Sequence, residues 1–309
     1  MNKHPKVGPI QPTLFELDRR DEATAPVKPQ EIVRPFEIPD TQILLGTSSF
    51  TASGWEGSFY PKGMKSTSYL SYYAKQFRAV EIDSTFYGTP SARTVESWYD
   101  KTPADFVFAA KVPQIVTHDK VLLDCDAEFG EFIDIMGNLK EKLGPLVLQF
   151  PRFDKWVLKS PDEFRARLQT FFKRAADSKT AQFAVEIRNK TWLDARFADV
   201  LREHNVALAL TDTLFMPRPW ELKQKFDLIT ADFTYVRWLG DRKGIEKQTM
   251  TWDKTVIDRT SDLRNWVDVI KSLVSNTKVL KIFAFSNNHY AGHGPATAKL
   301  FMDLWNKEQ

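Results

Sequence analysis

The chain contains a single cysteine, Cys125, in 309 residues. That excludes an intramolecular disulfide and any zinc or iron–sulfur site built on several cysteines. No apolar run approaches the roughly 18 residues needed to span a bilayer, and the first residues lack the apolar core of a secretory signal. The expectation is a cytoplasmic protein with no membrane partner. Charge of neither sign dominates, with 43 Lys plus Arg against 40 Asp plus Glu. No large field therefore recruits polyanions, and the pI near 8.7 is weak ground for nucleic-acid binding. The Gly-x-Gly-x-x-Gly fingerprint, the P-loop, the nucleophile elbow and the His-Glu-x-x-His motif are all missing. With no histidine at the strand ends either, neither a metal nor an organic cofactor is expected.

Proline is plentiful only at the start, where seven of the 17 fall within the first 40 residues and no apolar periodicity lasts. Residues 1–40 read as an extended or disordered arm whose loss, to residue 35, should leave the rest folded. After residue 40 the pattern becomes short apolar runs separated by amphipathic segments. The runs are "QILLGTS" (42–48), "AVEID" (79–83), "FVFAAKV" (106–112), "LVLQF" (146–150), "FAVEIR" (183–188), "VALALTD" (206–212), "TYVRW" (234–238) and "KIFAFSN" (281–287). Eight such alternations predict an α/β fold of one domain, a TIM-type (β/α)₈ barrel over residues 41–309. The connection 213–233, with "MPRPW", is the least regular.

Strands of a barrel are buried on both faces, so polar residues in them need explaining by their depth along the axis. In "AVEID" alternation sets Val80 and Ile82 against Glu81 and Asp83. If the apolar pair meets the helices, the carboxylates face the barrel axis near its C-terminal mouth. Lys111, Gln149, Glu186 with Arg188, Asp212, Arg237, and Asn287 with Asn288 end other strands in the same way. The candidate catalytic set is Glu81, Lys111, Glu186, Arg188 and Arg237. Glu186 and Arg188 equally fit a buried ion pair, and Lys111 fits either a chemical role or a structural pairing with Glu81. Asp212 shares its parity with Leu208 and Leu210, which speaks against an inward orientation. His118 suits a proton relay or a loop hydrogen bond. Trp55, Phe59, Tyr60, Phe86 and Tyr87 form either a sugar-stacking wall or core. Met in place of Lys111 or Arg237 is expected to abolish ligand binding and keep the fold.

The motifs "GTSSFTASGWEGSFYP", "VEIDSTFYGTP", "LGPLVLQFP", "VEIRNKTW", "YVRWLG" and "NNHYAGHGPATA" occur in order. On these the chain resembles, over roughly residues 43–304, the YecE-like family, also called domain of unknown function 72. The resemblance implies a TIM barrel and assigns no reaction. It adds Ser48, Thr85, Tyr87, Trp192 and Tyr235 as motif positions beside the asparagines. Many relatives carry His-Gly after the seventh-strand arginine, where this chain has Trp238, Leu239 and Gly240, and the N-terminal arm lies outside the pattern.

The expectation is an enzyme using acid–base or electrostatic chemistry, of hydrolase, lyase or isomerase type, on a small polar, anionic or polyhydroxylated substrate. Ser48, Trp55, Asp83, Thr85, Tyr87, His118, Gln149, Trp192, Asp212, Tyr235, Asn287 and Asn288 would line its pocket. The alternative is a non-catalytic module binding a metabolite or a nucleic acid at the same mouth.

Overall fold

Runs that are apolar on both faces cannot sit at the edge of a solvated sheet, and here all eight become strands of one parallel sheet. A computed structural model describes residues 34–38, 42–175 and 181–307. The strands are β1 (Ile43–Thr47), β2 (Ala79–Ile82), β3 (Val107–Lys111), β4 (Leu143–Gln149), β5 (Phe183–Glu186), β6 (Ala207–Thr213), β7 (Phe233–Gly240) and β8 (Lys281–Ser286). Their hydrogen-bonded order, β1-β8-β7-β6-β5-β4-β3-β2, curls into a nearly closed TIM-type barrel.

Helices alternate with the strands. They are α1 (Tyr69–Tyr73), α2 (Ala92–Asp100), α3 (Asp126–Met136), α4 (Pro161–Ala175), α5 (Ala195–Glu203), α6 (Pro219–Leu222), α7 (Arg242–Ile245), α8 (Thr260–Val274), α9 (Asn288–Ala291) and α10 (Gly294–Lys307). The irregular connection after β6 holds only the four-residue α6, which starts at Pro219 in the position where a missing N–H costs nothing. None of these helices is long and apolar enough to cross a membrane.

The seam between β1 and β2 is closed by a side chain. The Tyr73 hydroxyl accepts from the Thr47 backbone N–H at 2.9 Å and lies 3.2 Å from the Ala79 carbonyl oxygen. It thus links the two backbones that the ladder leaves unpaired. Gly46 permits the approach, since a Cβ there would lie 2.1 Å from that carbonyl oxygen.

Inside the barrel, size is divided between the walls. Ala79, Ala109, Ala184, Ala207 and Ala209 face Phe233, Tyr235, Phe283 and Phe285 in one buried cluster, so small residues on one arc make room for rings from the other. This apolar plug fills the lower barrel and leaves the C-terminal level to polar side chains.

Most of the expected arm lies outside the described residues, but its end is bound to the barrel. Arg34 is buried and forks onto both Asp105 carboxylate oxygens at 2.6 and 2.7 Å. Phe36 stacks on Phe77 with centroids 4.5 Å apart, and Ile38 is buried in the main core. Residues 34–38 therefore belong to the barrel, and a cut after residue 35 would remove a paired guanidinium. The sequence hid this because one arginine and two apolar residues among prolines show no period.

Candidate functional site

On β2, β5 and β7 the two-residue alternation brings Glu81, Glu186 and Arg237 inward at one level, just above the apolar plug. Arg237 is the hub. Its Nε and Nη2 donate to Glu81 Oε1 at 3.2 and 2.7 Å, Nη1 donates to Glu186 Oε2 at 2.6 Å, and Nη2 also donates to Asp83 Oδ1 at 3.0 Å. Tyr235, two residues earlier on the same face, donates its hydroxyl to Glu81 Oε2 at 2.5 Å. Glu186 is also paired with Arg188, whose Nη1 donates to Thr213 Oγ1 at 3.1 Å. Beside this network Lys111 donates to Gln149 Oε1 at 3.2 Å and lies over the Phe86 ring, 4.0 Å from its centroid.

Burial separates the members of this group. The side chains of Glu81, Glu186 and Arg237 are 0%, 1% and 3% exposed, whereas Asp83 and Arg188 keep 31% and 28% open. Burial, the largest influence, would push the Glu186 carboxyl up, but Arg188 and Arg237 outweigh it and hold it below the usual carboxylate range. Burial also opposes the Arg237 charge, and the surrounding carboxylates reverse that, holding the guanidinium firmly protonated. Asp83 goes the other way. Burial and the Glu81 charge lift it from 3.8 to about 6, against the pull of Arg237 and Lys111. Burial lowers Lys111, with Arg237 adding to the effect and Asp83 opposing it. The group thus holds two closed carboxylates, one more open carboxyl pushed up to about 6, and an amine softened by desolvation.

Arg237 sits where three carboxylates converge, the position a cation would otherwise fill. Among the described residues no group of three or more His, Cys, Asp or Glu side chains is placed to hold a metal ion.

The remaining sequence candidates divide. Ser48 is buried at the end of β1, and its Oγ has no hydrogen-bond partner among the described residues. Thr85 ties the turn after β2 to β3, its Oγ1 lying 2.7 Å from the Lys111 carbonyl oxygen. His118 bonds to Thr117 at 2.9 Å and meets the Phe86 ring edge-on, and burial lowers its pKa. Tyr87 is exposed on the rim.

Others serve the loops or the outer layer. Trp55 is buried and donates to Asn288 Oδ1 at 3.1 Å, and the same oxygen accepts from the Gly294 N–H at 2.8 Å. Asn287 caps α9 by accepting from the His289 N–H at 3.0 Å. Trp192 stacks on Phe153 beneath the loop after β4.

Asp212 is a correction. It faces the helices, accepting from Trp266 Nε1 at 3.0 Å and the Tyr290 hydroxyl at 2.8 Å, and pairs with Arg218 at 2.8 Å. Strand β6 runs on to Thr213, so Thr211 and Thr213 take the inward positions and Asp212 the outward one. The reading for Arg237→Met also changes, because that residue neutralises three carboxylates and its loss would strand them. The sequence reading missed Thr213 and Asn189, while Phe86, read there as wall or core, packs against the Lys111 ammonium. Placing the end of β6 one residue later would have found the first.

Comparison with known proteins follows the same lines. The family model described as "Protein of unknown function DUF72" matches residues 44–309. The YecE protein of Escherichia coli strain K12 is 30% identical over 154 residues, 45% of this chain and 57% of the relative. The YunF protein of Bacillus subtilis is 30% identical over 154 residues, 47% of this chain and 52% of the relative. The chain spans about half the length of these curated relatives. The crystal structure of a DUF72 family protein from Thermotoga maritima is similar, with a TM-score of 0.64 at 25% identity over 86% of this chain and 98% of that one. With its eight-stranded barrel and a match along nearly all of that barrel, the chain belongs to the DUF72 family of proteins of unknown function.

Proposed function

We propose that the barrel mouth is a catalytic site in which Asp83 carries a proton for a small substrate bearing anionic or hydroxyl groups. One observation carries this reading. Asp83 is the carboxyl of the cluster that is both open to the mouth and shifted to about 6, where a general acid–base group works best near neutral pH. The sequence reading put Glu81 and Glu186 in the catalytic set and Asp83 in the pocket lining. The oxygens of the two glutamates are committed to Arg237, Tyr235 and Arg188, which suits them to shape the field instead. Lys111 and Arg188, both within reach of the opening, would hold the negative or hydroxyl groups of the ligand, with Gln149 orienting the amine. A proton removed from substrate passes to Asp83, and the charge that develops meets the Lys111 ammonium. This chemistry fits an isomerase or lyase.

The test is incubation with a pool of sugar acids and phosphorylated sugars in deuterated water, with mass spectrometry reading deuterium entry and product formation. Wild type should label one member of the pool. Asp83→Asn should abolish labelling, and Lys111→Met should weaken substrate binding about a hundredfold while the fold persists. Full labelling by Asp83→Asn would refute the assignment of the proton.

A further inference from the structure

Outside the charged cluster, the C-terminal face has a second feature. Eight large apolar side chains are exposed among the described residues, and seven of them, Tyr87, Leu123, Trp156, Val157, Leu214, Phe215 and Met250, lie in loops that follow strand C-termini.

Two rings are displayed at evident cost. Trp156 is 96% exposed on the turn after β4, and Phe215 is 82% exposed after β6 with φ at +68°. A bulky residue in the left-handed region is strained, and here the strain returns no packing.

The platform beneath Trp156 is braced. Asn189, in the loop after β5, accepts from the Phe153 N–H at 2.8 Å and donates to the Phe153 carbonyl at 2.9 Å. The loops after β4 and β5 are thus tied together.

Basic residues share these loops with the rings. The loops after β4 and β5 hold Arg152, Lys155, Lys159, Arg188 and Lys190 against Asp154 and Asp194. Asp194 is already spent capping α5 and pairing with Arg165. Arg152, Lys155 and Lys190 make no ion pair among the described residues. Strands β4, β5 and β6 are neighbours, so Trp156 and Phe215 rise from strands about 10 Å apart with the loop of Lys190 between them.

We infer that this sector of the rim is a binding surface for single-stranded nucleic acid, with bases stacked on Trp156 and Phe215 and phosphates met by Arg152, Lys155 and Lys190. Alternating flat rings and unpaired cations complement a chain that alternates flat bases with phosphates. An apolar protein partner would leave the unpaired cations without a counterpart. The surface is independent of proton transfer in the mouth.

The experiment is fluorescence anisotropy of a labelled oligothymidine of about a dozen nucleotides on the full chain, beside polyphosphate as an anionic polymer without bases. The strand should bind at least tenfold tighter than polyphosphate of equal charge. Its affinity should fall roughly twentyfold between about 50 and 200 mM salt, as release from three phosphates requires. Trp156→Ala and Phe215→Ala should each weaken strand binding about tenfold, leaving polyphosphate binding and the melting temperature unchanged. Lys111→Met should keep strand binding. Equal affinity for both polymers, or alanine variants that bind the strand like wild type, would overturn the inference. So would loss of the strand in Lys111→Met alone, because that would put the ligand in the mouth.

Discussion

At the top of this barrel two groups of buried charges lie on opposite faces of the same sheet, and they are built differently. On the outer face Asp212 pairs with Arg218 and accepts from two neutral donors on the helical layer, Trp266 and Tyr290. Acceptors match donors, and β6 is fastened to α8 and α9. On the inner face three carboxylates crowd one guanidinium, with Lys111 and Arg188 beside them. There the charges are coupled and one carboxyl is left at the opening. A balanced, closed set makes a strut, while a crowded set with an open member makes a site.

The largest expected effect separates the hub from its surroundings. Arg237→Met leaves Glu81 buried without its cation and Glu186 with Arg188 alone, and should cost about 5 kcal/mol in a denaturant melt. Recovery of stability on lowering the pH would identify the stranded carboxylates as the cause. Asp212→Ala should cost about 3 kcal/mol by the same measurement, with deuterium labelling intact in whatever fraction stays folded. Loss of labelling in folded Asp212→Ala would erase the distinction between strut and site. Deletion of residues 1–35 removes Arg34 from Asp105 and from the Ala74 carbonyl oxygen, and should lower stability by about 2 kcal/mol.

The smallest effect is the most diagnostic. Folding raises Asp83 from 3.8 to about 6, so the folded chain binds the proton more tightly than the unfolded chain. The stability this contributes is fully present below pH 4 and is lost as the pH rises through 6. Asp83→Asn should therefore stabilise the protein at pH 7 and give no gain at pH 4. The gain should be about 1 kcal/mol, below the roughly 3 kcal/mol of a fully enclosed group with this shift, because a third of the side chain is open. Equal gains at both pH values would mean that the charge is not what strains the site.

The same contrast shows what the sequence made legible. Strand period, once the apolar residues of β2 were set against the helices, put Glu81, Glu186 and Arg237 on the inner face. Asp212 illustrates how fragile that reasoning is at a strand end. Its own parity pointed outward, and including it with the rim followed position rather than period. Asn287, Asn288 and Trp55 looked like ligand contacts because loop hydrogen bonds between β1 and β8 join residues 233 positions apart, which a local pattern cannot register. Docking of residues 34–38 was hidden for the same reason. The different roles of Asp83 and Glu81, two residues apart on one strand end, depend on exposure and on the reach of Arg237, and neither is encoded in period.

The proton of Asp83 is the centre of the site. Carbon-detected NMR of protein labelled at aspartate carboxyls, with Asp83→Asn assigning the resonance, would follow that group directly as the pH is raised from about 3 to 8. A midpoint near 6 that falls towards the ordinary value when Glu81 is replaced by Gln is the predicted result. A midpoint at or below 4 in the wild-type protein would contradict it.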